Sequence, residues 1–342
     1  MALHQHLQVI IDWLEFTVLD TSLKDVIDKF LNIPFAHFSP LAKGRFGYHN
    51  QLKWKGGHVY IMFTALGEEI SEDTRIKRET GIHVMITGQG CRQYSTDQSL
   101  ETLLRRLSAL PRVNFSRIDL AIDDYNSRTL SYDMIHEAAL AGYFTSRWSK
   151  WDEINSRQTS NGHFLGRTMY FGSQNSDLFC RIYDKSLERK AKSEENPENI
   201  PKKWTRLELV YRKDRAKKVV DHLVKGEKPL GYVLRGTLRQ YLRFLKPSTT
   251  DQNKSRWPSA SWWEQLLLDV ESLQLTIKKE SKSIEDMTAW VDKQIAPTMA
   301  AILEAQEGDM GWLRKIIVKG SERLTQKHLD AIYTYKEKFS YE

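Results

Sequence analysis

RIDLAID, at residues 117–123, is the stretch that decides the expected fold, because polar and apolar residues alternate along it. Successive side chains of a β-strand point to opposite faces of a sheet. The three long apolar side chains therefore share one face, while Arg117, Asp119 and Asp123 share the other. The pattern predicts a strand that packs one face on the core and presents a polar face on the other side.

Two further segments repeat this design: RIYDK at residues 181–185 and RLEL at residues 206–209. In each segment, alternate positions carry the polar side chains that would share one face: Arg181, Tyr183 and Lys185 in the first, and Arg206 and Glu208 in the second. If the three strands lie in one sheet, their polar faces converge. The result would be a patch of carboxylates, cationic groups and one tyrosine.

The rest of the chain predicts an α+β fold. Further strand and hairpin patterns indicate a largely antiparallel sheet, and helical spacing, for example over residues 215–224, predicts helices packed on one face of it. Residues 246–260, KPSTTDQNKSRWPSA, are typical of a linker, and only helical patterns follow. We therefore predict a first domain at residues 1–245 and a smaller all-helical C-terminal region at residues 246–342.

Three local sequence patterns each predict a specific structural feature. Residues 231–245 have helical spacing. Residues 188–203 are highly polar and contain two prolines, which predicts an exposed loop. Pro297 interrupts a helical pattern at residues 284–306 and should kink or split that helix.

The charge balance favours a polyanionic partner. Lys and Arg number 51 against 44 Asp and Glu, which gives a net charge of +7, and a basic protein favours nucleic acid. Two cysteines are too few for a disulfide scaffold or a cysteine-based zinc site and fit a reducing cytosol. The sequence shows neither a signal-peptide pattern nor a run of about 20 apolar residues. We expect a cytoplasmic protein with no membrane partner.

The predicted polar patch could hold a divalent cation. Mg²⁺ and Mn²⁺ prefer carboxylate oxygens, and Asp119 and Glu208 are the best pair. Asp123 lies four residues beyond Asp119 on the same strand, about 13 Å away at ~3.3 Å per residue. These two aspartates could bind one ion only if a bulge intervened, so we favour Asp119. A bound cation would polarise a phosphodiester for in-line displacement.

Tyr183 is a plausible nucleophile for such a reaction, because a covalent intermediate stores the energy of the broken phosphodiester. A free tyrosine has a pKa of about 10. Arg181, Lys185 and a bound metal would favour its ionised form. The pattern alone does not single out Tyr183 among fourteen tyrosines, however, and one polar face is typical of any half-exposed antiparallel sheet.

The segments nevertheless resemble, in order and spacing, the rolling-circle replication initiators of plasmids (the Rep_trans group), together with related relaxases of conjugative elements and replication initiation factors of phages. The resemblance spans roughly residues 8–245. The matching segments are IIDWL at 10–14, RIDLAID at 117–123, YFGS at 170–173, RIYDK at 181–185 continuing through ERK at 188–190, and WTRLE at 204–208.

The resemblance implies a specific chemistry. The tyrosine of the RIYDK segment, Tyr183, would attack one DNA strand at an origin, form a 5′-phosphotyrosine bond and leave a free 3′-hydroxyl primer. Such strand transfer is similar to that of relaxases and type I topoisomerases. Asp119 and Glu208 would be metal ligands, and Asp12 aligns with a third acid. The family implies double-stranded origin DNA with a hairpin or cruciform, a homodimer, and a host helicase as a further partner.

Arginines are the expected DNA contacts, because guanidinium groups bind phosphates. Arg235 and Arg239 stand at four-residue spacing on one face of a predicted helix, where a solvated face is an equal alternative. The full set of expected contacts is Arg117, Arg206, Arg189, Arg235 and Arg239.

Two alternatives to a replication initiator stay open. One is a conjugative relaxase that uses the same chemistry at a transfer origin. The other is a basic DNA-binding protein without enzymatic activity, against which the clustered acids argue, because carboxylates repel phosphates unless a cation intervenes. The C-terminal helices could serve origin recognition, dimerisation or partner contact.

Overall fold

The structure is a computed structural model that describes residues 7–67, 69–192, 200–226, 228–267, 284–324 and 326–338. The chain forms two compact units, Met1–Leu275 and Thr276–Glu342. None of the described helices is long and apolar enough to cross a membrane.

The first unit is built on a ten-stranded sheet in which every paired strand runs antiparallel to its neighbour. The described residues of the first unit form twelve strands, ten of which belong to this sheet. They are β1 (Leu7–Val18), β2 (Phe38–Leu41), β3 (Asn50–Trp54), β4 (Val59–Phe63), β5 (Ile82–Ile86), β6 (Val113–Asp124), β7 (Phe144–Ser146), β8 (Trp151–Arg157), β9 (Phe164–Phe171), β10 (Leu178–Asp184), β11 (Thr205–Arg212) and β12 (Leu242–Phe244). Their order in the sheet is β2-β3-β4-β5-β1-β6-β11-β10-β9-β8, and β12 pairs separately with β7.

Helices complete both units. In the first they are α1 (Gly88–Asp97), α2 (Leu100–Ser108), α3 (Tyr132–Leu140), α4 (Lys185–Lys192), α5 (Asp214–Val224), α6 (Leu230–Tyr241) and α7 (Ser261–Leu267), with a π-helical segment at Asp25–Leu31. In the second they are α8 (Ile284–Trp290), α9 (Ala296–Ala305), α10 (Gly311–Ser321) and α11 (Gln326–Lys338). The predicted α+β class, with a largely antiparallel sheet and a helical C-terminal region, is confirmed.

The core lies on the apolar face of the central strands. Ile118, Leu120 and Ile122 are fully buried there, as their alternation with polar residues predicts. Helices α5 and α6 pack against β6 on this side, and Val219 and Leu234 belong to the same buried cluster. Burial of this face leaves the opposite, polar face of β6, β10 and β11 for chemistry; we call it the site face.

A β-bulge in β1 adds one side chain to the site face. Ile11 pairs with Leu120 and Trp13 pairs with Asp119, so Asp12 has no partner in the register between β1 and β6. A bulge re-aims the side chain of the extra residue. Asp12 therefore reaches the site face, where its carboxylate binds Arg206.

The end of the first unit differs from the prediction. Helix α6 ends at Tyr241, and residues 242–244 form β12, which pairs with β7. The helical spacing of the sequence continues past Tyr241, so spacing alone overestimates the length of this helix. The predicted linker is also part of the fold, since Leu245 bridges to Ser259 and Trp263 beyond it is fully buried. The first unit thus extends past the predicted boundary at residue 245.

Two other local predictions have clear outcomes. The predicted loop at residues 188–203 begins as helix, because α4 runs through Lys192; residues 193–199 lie outside the described part. Pro297 does interrupt a helix: it occupies the first turn of α9, directly after a π-helical segment at Val291–Ile295.

Candidate active site

The register of the central strands brings the predicted polar residues together. Arg206 on β11 lies opposite Tyr183 on β10 and opposite Asp123 on β6. Glu208 on β11 lies opposite Arg181 on β10. Directly opposed side chains of a sheet share a face, so these five groups form one continuous patch.

Tyr183 lies at the centre of this patch and is only 7% exposed. Its hydroxyl donates a hydrogen bond to Glu208 Oε2 at 3.2 Å. Lys185 Nζ donates to the same hydroxyl at 3.5 Å. Lys185 is the first residue of α4 rather than part of the strand, and it also forms an ion pair with Glu188 one turn later. The phenol thus contacts one anion and one cation.

Burial raises the pKa of the Tyr183 phenol well above its usual value of 10, and the Glu208 carboxylate raises it further. The flanking cationic side chains alone therefore do not lower this pKa, because burial and Glu208 outweigh the nearby guanidinium groups. Burial lowers the pKa of Lys185, and the positive charge of Arg206 adds to that effect. The site therefore holds a protonated phenol beside an ammonium that burial destabilises.

Asp119 and Glu208 form a buried carboxyl pair, each with its own arginine. Both are fully buried. Arg117 binds Asp119 through two hydrogen bonds, of 2.9 Å from Nε and 2.6 Å from Nη2, and Arg181 binds Glu208 Oε1. Arg181 Nη2 also lies 3.8 Å from Asp119 Oδ2, so one guanidinium lies beside both carboxyl groups.

The two carboxyl groups titrate in opposite directions. Burial, together with the negative charge of Glu208, raises the pKa of Asp119 well above its usual range. Burial alone would also raise the pKa of Glu208, but the charge and hydrogen bond of Arg181 lower it to about 2. Of the two carboxyl groups, Glu208 therefore carries the negative charge that faces Tyr183.

This pair offers the donor chemistry of Mg²⁺ or Mn²⁺, because both ions take carboxylate oxygens, although both side chains are fully buried. The predicted third ligand, Asp12, is bound to Arg206 instead. Among the described residues no set of three or more His, Cys, Asp or Glu side chains is arranged to hold a metal. The structure thus brings together two of the three predicted ligands.

Arg206 does not have the expected role. It is fully buried, its Nε and Nη2 bind Asp123 at 2.7 and 2.6 Å, and its Nη1 binds Asp12. A guanidinium that is buried and paired with two carboxylates cannot reach a DNA phosphate. Arg206 instead fixes the positions of both aspartates and adds positive charge beneath Tyr183.

A cavity of about 1080 Å³ opens above the site face. Tyr183, Lys185, Arg181 and Arg189 line it, so Arg189 lies where a DNA contact was expected. Arg117 is held by Asp119 and does not line this cavity. Neither do Arg235 and Arg239, whose helix α6 packs against β1 and β6 with Leu234 and Leu238 in the core.

Sequence reasoning missed another wall of the cavity. It is formed by the start of α1, where Gly88, Gln89 and Arg92 line the cavity, and Arg92 Nη1 lies 3.6 Å from Asp12 Oδ1. The signal was present in Thr87, whose hydroxyl accepts a hydrogen bond from the Gly90 amide and caps the helix. The three residues after this cap, GQG, resemble a loop more than a helix, which hid the element.

Two family models match the chain. That of the replication initiation factor family matches residues 113–317, which include Asp119, Tyr183 and Glu208. That of the rolling circle replication initiation protein N-terminal domain matches residues 8–103, which include Asp12. The resemblance expected from the sequence motifs is confirmed.

Individual proteins agree with this result. A protein of Bacillus subtilis (strain 168) named "Putative DNA relaxase NicK" is 27% identical over 316 residues, which cover 90% of this chain and 84% of that protein. The solved structure of a rolling circle replication initiator protein from Geobacillus stearothermophilus is 29% identical, with a TM-score of 0.65. That match covers 79% of this chain and 98% of the other. The similarity therefore extends over most of each protein.

Proposed function

The chain belongs to the replication initiation factor family, and on this basis we propose that it nicks one DNA strand at an origin of rolling-circle replication, with Tyr183 as the nucleophile. The observation that carries the proposal is the Tyr183 hydroxyl, which lines a cationic cavity and donates its hydrogen bond to Glu208. A nucleophile with an adjacent proton acceptor is the usual arrangement for covalent catalysis.

The proposed step transfers a phosphoryl group of the DNA strand from a 3′ oxygen to the Tyr183 oxygen. The Tyr183 oxygen attacks the phosphorus, and the phenol proton passes to solvent in the cavity that Tyr183 lines. The bond between phosphorus and the 3′ oxygen breaks, and the 3′ oxygen leaves with the electron pair and takes a proton from solvent. The products are a 5′-phosphotyrosine and a free 3′-hydroxyl, which can prime DNA synthesis.

Cationic side chains support the charge that develops in this step. Arg181 and Lys185 both line the cavity beside Tyr183, and fixed positive groups stabilise the negative charge of a transition state. Asp119 and Glu208 would hold a divalent cation, Mg²⁺ or Mn²⁺. When bound, this cation would polarise the phosphodiester. Arg206, through Asp12 and Asp123, would keep these groups in register.

A nicking assay on a supercoiled cognate origin with Mg²⁺ or Mn²⁺ tests the proposal. The native protein should yield nicked circles with protein covalently attached to the 5′ end, and Tyr183→Phe should yield neither. Tyr211→Phe is the matched control: Tyr211 lies on the neighbouring strand β11 but in the apolar core, so its removal should leave nicking intact. Covalent adducts from Tyr183→Phe would overturn the assignment, and native protein that binds the DNA but never cuts it would support a non-enzymatic role.

A conjugative relaxase is the second candidate, because the Bacillus subtilis relative is named as a DNA relaxase. The chemistry would be the same, at a transfer origin instead of a replication origin. A plasmid that carries the cognate origin separates the two functions. Autonomous replication supported by this protein alone favours an initiator, whereas transfer to a recipient without replication favours a relaxase. Origin DNA that forms a hairpin, a homodimer and a host helicase contact remain predictions under either reading.

A further inference from the structure

The edge of the sheet beside Tyr183 has an unusual surface. Thr168 on β9 lies directly opposite Tyr183, and Ile154 on the edge strand β8 lies opposite Thr168. Gly166 is two residues from Thr168 along β9, so it lies roughly 7 Å away on the same face. Side chains on this part of β8 and β9 therefore border the nucleophile.

A second bulge turns an apolar side chain into the cavity. Ser156 pairs with Gly166, and Arg157 pairs with Phe164, which leaves Leu165 without a partner in the register. Leu165 and Ile154 both line the cavity, and they are 41% and 49% exposed. Two large apolar side chains are thus presented to the open space beside Tyr183.

Gly166 leaves a gap between these two side chains. A Cβ added at Gly166 would meet no atom within 4 Å, and its φ lies outside the left-handed region. Neither the backbone conformation nor close packing requires a glycine here. The glycine instead keeps this part of the cavity wall flat and free of a side chain.

The apolar patch contrasts with the other walls, which carry Arg92, Arg181 and Lys185. A ligand that matches both surfaces must combine negative charge with a flat apolar face. Single-stranded DNA does so, because its phosphates bind cations and its exposed bases stack on apolar side chains. In a duplex the base faces are covered by neighbouring pairs, so a base must leave the stack to reach such a wall.

We infer that Ile154, Leu165 and Gly166 form a subsite for one unpaired nucleobase of the nicked strand, adjacent to the phosphate that Tyr183 attacks. The inference rests on the proposed function and names the residues that would contact a base beside the nick. Gly166 provides the space for the base, and the two apolar side chains contact its face.

Binding of single-stranded oligonucleotides tests the subsite without cleavage. The oligonucleotide carries the nick site mapped with the native protein, and Tyr183→Phe serves as the parent so that no adduct forms. Abasic positions are placed one at a time on either side of the nick, and the dissociation constant is measured by fluorescence anisotropy. One abasic position should weaken binding to the parent about tenfold, within the range for loss of a stacked base.

Filling the gap should remove that dependence. With Gly166→Leu added to the parent, the intact oligonucleotide should bind about tenfold more weakly, and the sensitive abasic position should have no further effect. Ile154→Ser, which removes apolar surface without adding bulk, should shift both measurements in the same direction. Gly67→Leu is the matched control, since Gly67 also has no atom within 4 Å of an added Cβ and does not line the cavity.

Several outcomes would overturn the subsite: no sensitive abasic position in the parent, the same sensitivity after Gly166→Leu, or equal weakening at every position. Thermal melts of each variant separate a local effect from misfolding. The proposed function fails in a different way, by the absence of adducts with native protein at any site. Failure of the subsite would leave adduct formation by the native protein unchanged.

Discussion

At the scale of single residues, burial shifts the pKa values of several groups in the site. Burial and Glu208 raise the pKa of the Tyr183 phenol, so in the proposed reaction the phenol would lose its proton as the phosphate is attacked. Arg181 binds Glu208 and lowers the pKa of that carboxyl group. A carboxylate thus lies beside the proposed nucleophile.

Lys185 should be a destabilising residue that the reaction needs. Burial holds its pKa in the folded protein below its usual value of 10.5, so the ammonium lowers the free energy of unfolding at neutral pH, and this effect disappears as the pH rises above 10.5. We expect Lys185→Met to raise the Tm at pH 7 by roughly 2 °C while slowing adduct formation about a hundredfold. The gain in Tm should shrink as the pH is raised from 7 toward 10.

Lys225→Met is the control for this prediction, because the Lys225 side chain is 68% exposed and pairs with Asp221 on the surface. It should alter neither Tm nor adduct formation. A Lys185→Met protein that is less stable at pH 7, or that forms adducts at the native rate, would contradict the prediction.

Asp119 should govern the requirement for a divalent cation. Asn offers a neutral oxygen in place of a carboxylate, which hard cations bind less strongly. We expect Asp119→Asn to need at least about tenfold more Mg²⁺ or Mn²⁺ for half-maximal adduct formation, a difference of about 1.4 kcal/mol in binding. Asp152→Asn, at a surface carboxylate 44% exposed, should leave the requirement unchanged. An unaltered metal titration for Asp119→Asn would remove this residue from the proposed metal site.

At the scale of elements, two β-bulges and one helix start shape the cavity. Each bulge inserts one extra residue into its strand, Asp12 in β1 and Leu165 in β9, and both side chains line the cavity. The start of α1 comes close to the β3–β4 turn, where Gly90 lies against His58: a Cβ at Gly90 would be only 2.3 Å from the His58 carbonyl oxygen. Each element is thus positioned by backbone geometry as much as by side-chain packing.

The position of α1 predicts opposite effects for one substitution at two helical glycines. Gly90→Ala should lower the free energy of unfolding by about 2 kcal/mol, because the Cβ overlaps backbone that cannot yield easily. Gly320→Ala in α10 should raise the stability of the second unit by up to about 1 kcal/mol, since alanine is the better helix former and no atom lies within 4 Å. Urea unfolding of the two variants checks the signs, and a destabilised Gly320→Ala or an unaffected Gly90→Ala would contradict the packing described.

At the scale of the whole molecule, strand order assembles the site from distant parts of the chain. The central strands β1, β6, β11 and β10 are neighbours in the sheet, although Asp12 and Arg206 are separated by 194 positions in the sequence. The first unit closes only after the predicted linker, where the fully buried Trp263 packs against Phe244 with ring centroids 5.1 Å apart.

Truncation should therefore reveal the end of the first unit. A fragment of residues 1–275, the extent of that unit, should unfold cooperatively and bind single-stranded DNA. A fragment of residues 1–245 should lose cooperative unfolding, because it removes Trp263 and exposes the core around Phe244; loss of a buried aromatic alone costs about 3–5 kcal/mol. Thermal melts followed by circular dichroism compare the two. A stable, cooperative 1–245 fragment would show that residues 246–275 are dispensable for the first unit.

The α+β class, the strands β6, β10 and β11, and the polar residues that these strands contribute can all be predicted from the amino-acid sequence. These features depend on alternation, which is a local property, and RIDLAID and RIYDK carry it clearly. The family match selected Tyr183 among the tyrosines, which no local pattern could do.

The contacts and pKa values of those residues, in contrast, depend on the folded sheet. It buried Arg206 as a clamp on Asp12 and Asp123 instead of exposing it to DNA, and it raised the pKa of Tyr183 where its flanking cations suggested the opposite. The structure also contains α1 and the edge strand β8, which the sequence patterns do not predict. The residues of β8 are mostly polar and lack the apolar alternation of the other strands. Burial, bulges and cross-strand register depend on residues far apart in the sequence, so their electrostatic balance becomes readable only once the sheet is assembled.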